Sequence, residues 1–324
     1  MVIHSPLLRG VLIVSLLLTT VAATPASAQQ FIDSDVDVPE ADVILHEQDG
    51  DPWRVTAFSK AVSESRSAAY LRSPDGISFV EKKGYSQLEP APKGGRVAAI
   101  PYSSPGAYNS VVIFDSAGKA KRIRTVRKPL KATVPEWTRD GRKLVLSIQK
   151  NGINTTGFVI IDAVTGTSKA VAVRNIDPAS SFQWTPDGKY LAVGIWESDV
   201  GVRVYRQDGR TLRTLHKIGW MQGSDAFSPS GKQLLTLCYA TTGSHYCLWD
   251  FKTGKLVKRV TYTGMQLTIG WWDDQHLFYE GSHSEGSQGA VVIDLNGKIT
   301  RVAASYTEKA QWVGLVYTRR HSSA

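Results

Sequence analysis

The residues of this chain that have the chemistry for catalysis or ligation are not spaced for it. His245, His283, Glu280 and Glu285 are metal-ligand types, yet their separations follow no ligand pattern, so no metal is expected. His46-Glu47 lacks a second histidine four residues on, which removes the zinc-protease helix. There is no Gly-x-Ser-x-Gly elbow, and a fused peptidase is excluded on motif and on length. Gly281 to Gln288 opens like a phosphate loop but has Ser287 where the lysine belongs. Asp33, Asp35 and Asp37 imitate the start of a calcium loop, with Val38 in place of the turn glycine and Ile44 in place of the closing Glu. No cofactor is implied and no motif argues for an enzyme.

The two cysteines are the exception, because Cys238 and Cys247 are nine residues apart around Thr241-Thr242-Gly243-Ser244. With Thr242-Gly243 as a two-residue turn, 238 falls opposite 247 in a non-hydrogen-bonded pair, at a Cα separation of about 4.5 Å. A disulfide is expected, provided the chain reaches an oxidising compartment. Residues 1–28 supply the route. Arg9 ends a short polar start, Val11 to Ala23 is apolar but too short to span a bilayer, and Ala26-Ser27-Ala28 is a small-residue cleavage site. The segment reads as a secretory signal peptide and not as a transmembrane anchor, so the mature protein is expected to be secreted, or periplasmic where the source has an outer membrane.

The elements that would position any site are repeated hairpins. Phe182 to Val193, FQWTPDGKYLAV, has near-copies in WTRDGRKLVLSI, FSPSGKQLLTLC and WWDDQHLFYE. Pro186 presets φ for a type I turn, Asp187 suits the next position, and Gly188 closes a three-residue hairpin. One series of turns falls at Gly50, Gly95, Gly141, Gly188, Gly231 and Asp274, and a second at Gly76, Gly118, Gly166, Gly209, Gly254 and Gly297, each at intervals of 42 to 48 residues. Third strands such as VVIFDSAGK and FVIIDAVTG are β-branched runs closed by Asp-led turns. Six units of four strands predict an all-β, six-bladed β-propeller over 41–318, after an acidic linker at 29–40 and before a tail at 319–324. The alternative is a seven-bladed ring with one degenerate unit. Gln311 to Tyr317 is expected to complete the first blade, leaving Ala41 to His46 displaced outward or as an extra strand.

WTPDGKYL, WTRDGRKL and FSPSGKQL resemble the Trp-Ser-Pro-Asp-Gly-Lys motif of TolB-like propeller repeats, and the Asp-x-x-Thr-Gly third strands resemble those of WD-repeat proteins. The resemblance implies the fold. It leaves function open among scaffolds, binding modules and accessory domains.

Function is therefore read from the faces of the ring. The connections Lys60 to Ser67, Tyr102 to Tyr108, Lys150 to Thr156, Trp196 to Gly201 and Glu280 to Gly289 read as longer loops on one face, where binding groups sit. Tyr102, Tyr108, Trp196, Glu197, Trp220, Met221, His245 and His283 populate that face as candidate ligand contacts. Trp137, Trp184, Trp249 and Trp272 are expected in the core. Lys121, Arg122, Arg124, Arg127 and Lys128 form the strongest charge run, on the outermost strand of the second blade, where they block edge pairing or meet an anionic surface. The composition, 42% hydrophobic and 21% charged, is that of a globular protein. A net charge of +9 suits acidic polymers, whereas nucleic acid is not expected outside the cell. The reading is a monomeric, non-catalytic binding or scaffold propeller for a protein, peptide or cell-envelope polymer. The alternative is a propeller enzyme of lyase or lactone-hydrolase type using acids at the channel mouth.

Overall fold

A computed structural model describes residues 35–320, apart from 65, 198, 241–242, 262–264, 285–286 and 308–312. The signal segment and the first part of the linker, Asp33 included, lie outside the described residues. Every regular element among the described residues is a strand, and the strands form six antiparallel sheets.

From the inner edge outward, blade one is Val313–Arg319, Trp53–Ser63, Arg66–Arg72 and Phe79–Glu81. Blade two is Tyr85–Pro90, Val97–Pro101, Tyr108–Phe114 and Ala120–Arg127. Blade three is Lys131–Trp137, Lys143–Lys150, Asn154–Asp162 and Thr167–Ala172. Blade four is Gln183–Trp184, Tyr190–Trp196, Val200–Arg206 and Thr211–Leu215. Blade five is Trp220–Met221, Gln233–Ala240, Gly243–Asp250 and Leu256–Val260. Blade six is Met265–Asp273, His276–Ser284, Ser287–Asp294 and Ile299–Tyr306. Val43–Leu45 and then Val36–Val38 extend blade six outward.

The repeated turn does what its residues dictate. Gly188 has φ +65°, the Thr185 N–H donates to Tyr190 O at 2.9 Å, and Asp187 Oδ1 accepts from the Lys189 N–H at 3.1 Å. A Cβ on Gly188 would stand 3.3 Å from the Thr138 methyl of the preceding blade, so the glycine serves the packing as well as the turn. The third-strand aspartates close the outer turns. Asp162 Oδ1 accepts from the N–H groups of Val164 and Thr165, and these hydrogen bonds hold its carboxyl below the usual range.

Tryptophan explains the rest of the motif. The Trp137 indole donates to Glu89 O at 2.8 Å, Trp184 to Glu136 O at 3.2 Å and Trp271 to Ala226 O at 3.0 Å, each reaching the blade before its own. Trp53 makes the same bond to Trp271 O at 2.8 Å across the seam between blades one and six. Each ring is thereby both apolar filler and a stitch between blades. Trp137, Trp184 and Trp272 are buried and Trp249 partly buried, as expected.

The ring closes through Val313–Arg319, which pairs with blade one from Val313 opposite Lys60 to Arg319 opposite Trp53. The strand runs two residues past the expected Tyr317, so Arg319 belongs to the blade and not to the tail. Gln311 and Trp312 lie outside the described residues. Within Ala41 to His46, Val43–Leu45 is an added strand on blade six, and Val36–Val38, within the stretch read as linker, pairs with it. Val36, Val38, Val43 and Leu45 pack with Phe58, Phe79 and Phe278, so this ribbon covers the seam with apolar surface.

Two local expectations are corrected. Cys238 and Cys247 are bonded, with Cα atoms 5.9 Å apart, but they are not opposite one another. Ala240 pairs with Gly243, which sets Cys238 opposite His245 and Thr236 opposite Cys247, so the bond crosses the ladder diagonally. The centre of the hairpin falls one residue earlier than a Thr242-Gly243 turn would put it, which moves the partner of every residue by two. The connections read as long loops are also mostly strand. In sequence, only two or three residues separate Trp53–Ser63 from Arg66–Arg72, Lys143–Lys150 from Asn154–Asp162 and His276–Ser284 from Ser287–Asp294. Polar residues such as Ser59, Lys60 and Gln149 lie in paired ladders that protrude beyond the core, and their polarity hid the strand pattern. Only 102–107 remains an open connection of this kind.

Candidate functional site

The first strands of the blades surround an axial cavity of about 490 Å³. Its floor, toward the turns joining first and second strands, is crossed by charge. Arg319 of blade one donates from Nε to Asp225 Oδ2 of blade five at 3.0 Å, and from Nη1 to Trp272 O at 3.0 Å, while its guanidinium lies 4.3 Å from the Trp53 ring centre. Arg139 of blade three approaches the same aspartate at 3.6 Å and donates to Pro229 O at 2.6 Å. Burial lowers the Arg319 pKa and Asp225 opposes that shift.

Glu89 and Glu136 lie above this floor, on the first strands of blades two and three. Desolvation pushes the Glu89 carboxyl up to about 8. Glu136 is pushed well above the carboxylate range, first by burial and then by repulsion from Asp225 and Glu89, against one hydrogen bond from the Trp184 N–H at 3.0 Å. By surface area both residues are only partly covered, since each lines the open cavity. Higher in the wall, Glu280 accepts from the Tyr306 hydroxyl at 2.7 Å, and Tyr317 lies 3.3 Å from the same hydroxyl. Burial raises the pKa of all three groups. The remaining wall is mixed, with Gln87, Ser181, Gln222 and Ser224 beside apolar side chains of which Val134 and Leu267 are among the more exposed.

Sequence reasoning did not single out Glu89 and Glu136. Glu136 and Gln183 directly precede the repeat tryptophan, and on a strand the residue beside a buried ring points the other way, toward the axis. A polar residue recurring at that position was the available signal. Gln183 uses its amide between blades, accepting from the Ala226 N–H at 3.0 Å.

The expected contact residues are distributed unevenly. Trp196 is 63% exposed at the tip of its hairpin, and Tyr102 and Tyr108 are exposed on blade two. Tyr102 has Arg66 4.7 Å over its ring, and Arg124 lies 6.0 Å from the Tyr108 ring. Glu197 is held by Arg203 at 2.9 Å. Trp220 and Met221 belong to a first strand and are half-buried, with Met221 packed against the core of blades four and five. His245 shares a hydrogen bond with Thr261 at 2.9 Å, and the His283 side chain lies outside the described residues. Val62 and Ile153, unremarked in the sequence, are 57% and 71% exposed at neighbouring tips. Blades one to four thus each present an apolar or aromatic side chain on one rim.

Of the basic run, Lys121 donates to Thr165 O at 2.7 Å, Arg122 to Ser110 Oγ at 2.8 Å and Lys128 to Ser104 O at 2.7 Å, while Arg127 is exposed. The strand is the outer edge of blade two. No helix among the described residues is long and apolar enough to cross a membrane, and no group of three or more His, Cys, Asp or Glu among them is arranged to hold a metal ion.

No family model and no curated protein matches the sequence. Solved structures do match. TolB from Acinetobacter baumannii is similar over 81% of this chain and 66% of its own, at 15% identity and a TM-score of 0.53. The β-propeller domain of the Trilobed protease from Pyrococcus furiosus, described as having an open velcro topology, is similar over 83% of this chain and 82% of its own, at 13% identity and a TM-score of 0.54. A protein of unknown function from Bacteroides caccae matches over 83% of this chain and 100% of its own, at 14% identity and a TM-score of 0.52. At these identities the likeness establishes architecture: the chain is a six-bladed β-propeller whose structural neighbours include TolB.

Proposed function

We propose that this protein is an exported, monomeric, non-catalytic binding or scaffold propeller that contacts a protein, peptide or cell-envelope polymer through the rim of second-to-third-strand hairpins. The observation that carries the reading is the series Val62, Tyr102, Tyr108, Ile153 and Trp196, large apolar or aromatic side chains left exposed at the tips of successive blades. Paired strands hold Val62 and Trp196 in place, so little ordering of these two is needed on binding. The disulfide in blade five supports an oxidising compartment, and the basic edge of blade two supports an anionic envelope surface as a secondary contact. The test is affinity capture from the native envelope and extracellular fractions, comparing the wild type with a Trp196→Ser, Ile153→Ser double variant. A partner retained by the wild type and lost by at least ten-fold in the variant is expected; equal recovery would remove the rim from the interface.

One observation favours the enzyme reading, namely Glu89 as a carboxylic acid protonated near neutrality inside a cavity. Turnover of a lactone or uronate-polymer panel, abolished by Glu89→Gln, would support it.

A further inference from the structure

The deep end of the axial cavity has more acid than base. Glu89, Glu136 and Asp225 face two guanidinium groups, and both of those are committed, Arg319 to Asp225 and two carbonyls, Arg139 to Asp225 and the 227–229 backbone. Glu136 accepts one hydrogen bond, and Glu89 has neither a hydrogen-bond donor nor a cation among the described residues. Burying an ionisable carboxyl without a partner is costly, and the cost vanishes when a cation fills the space beside it. The other titratable groups on the wall, Glu280, Tyr306 and Tyr317, satisfy one another.

We propose that the axial cavity binds a primary ammonium group carried on a narrow unbranched chain, with the ammonium between Glu89 and Glu136 and the chain along the apolar part of the wall at Val134, Leu267 and Leu315. The two carboxyl groups come from separate blades, and Glu136 already engages Oε1 with the Trp184 N–H. That suits a compact three-donor ammonium better than the planar fork of a guanidinium. An anion would meet the excess of carboxyl groups. The volume is within the range of small-ligand sites, about 300–1,000 Å³. This site is independent of the rim and stands or falls separately.

Two sources carry the same group, a free diamine or a lysine side chain of an entering peptide. Calorimetric titration of the full mature protein with cadaverine and, in a parallel arm, with Nα-acetyl-lysine methylamide tests the proposal and separates the sources, the tighter probe naming the source. Binding displaces the carboxyl proton, so affinity is expected to rise by up to about ten-fold per pH unit from pH 6 until Glu89 is ionised near pH 8, with proton uptake by the buffer. Glu89→Gln, which keeps the side-chain shape, should weaken binding at least ten-fold and flatten that profile. Glu136→Gln should weaken it as well, and Trp196→Ser should leave it unchanged. Failure of both probes to bind at millimolar concentration, or equal affinity in Glu89→Gln, overturns the site. So does equal affinity for butyrate.

Discussion

At the scale of single residues, the acids of the cavity couple stability to pH in a direction opposite to that of a paired surface carboxylate. The Glu89 pKa is raised from 4.5 to about 8 by burial, so its contribution is fully present below pH 4.5 and is lost as pH rises toward 8. Glu136 and Glu280, raised for the same reason, act in the same sense. The ligand-free protein is therefore expected to be less stable in urea at pH 8.5 than at pH 5.5. Glu89→Gln should shrink that loss by on the order of 2 kcal/mol, since each tenfold change in proton affinity is worth about 1.4 kcal/mol. A loss of the same size in the variant would mean that the carboxyl is fully solvated in the folded protein. None of this was legible from residue types alone. Glu89 and Glu136 are 47 positions apart in ordinary strand sequence, and only the ring brings them to one axis.

At the scale of elements, the turns were legible and the tips were not. Pro186-Asp187-Gly188 and its copies state their own geometry through φ preferences and local hydrogen bonds, so the first-to-second-strand hairpins could be counted from sequence. The second-to-third-strand hairpins share no such repeated turn, although that of blade three has Asn151 and Gly152 at φ +54° and +78°. Their ladders extend past the core as polar strands, as at Ala61 opposite Ser67 and Lys150 opposite Asn154, where apolar alternation does not mark the end. The Cys238–Cys247 hairpin shows the result, since the pairing of two residues was right and the register was off by one turn position. The bond closes a short loop already held by its ladder, so Cys238→Ala with Cys247→Ala should cost on the order of 1–2 kcal/mol, less than a bond spanning a long loop. A cost above roughly 4 kcal/mol would mean that the diagonal bond, and not the ladder, sets the register of blade five.

At the scale of the molecule, six blades are held as a circle by one shared blade, by indole stitches between neighbours and by a charged floor that joins blades one, three and five. The count and the closure were both legible, because a seventh first strand had no partners of its own. Of the covering ribbon, the strand within Ala41 to His46 was legible and its partner was not, since Val36 to Val38 is too short to stand out beside an acidic tract. Arg320 donates its N–H to Pro52 O at 2.7 Å, and Asp35 reaches His46 at 2.7 Å, so both described ends of the chain finish on the same short stretch of backbone. The chain can therefore be rewired without moving a blade. Joining the two ends through a flexible linker of about ten residues and cutting between Asp140 and Gly141 would make Lys131–Trp137 the last strand, again borrowed from the far end of the chain. Cutting between Arg174 and Asn175 instead leaves whole blades on either side of the gap, with no strand in common. The first permutant is expected to match the parent in strand content and urea midpoint, and the second to unfold at lower urea. Equal midpoints would place the cohesion of the circle in blade-to-blade packing alone, and would make the order in which the chain visits its blades irrelevant to its stability.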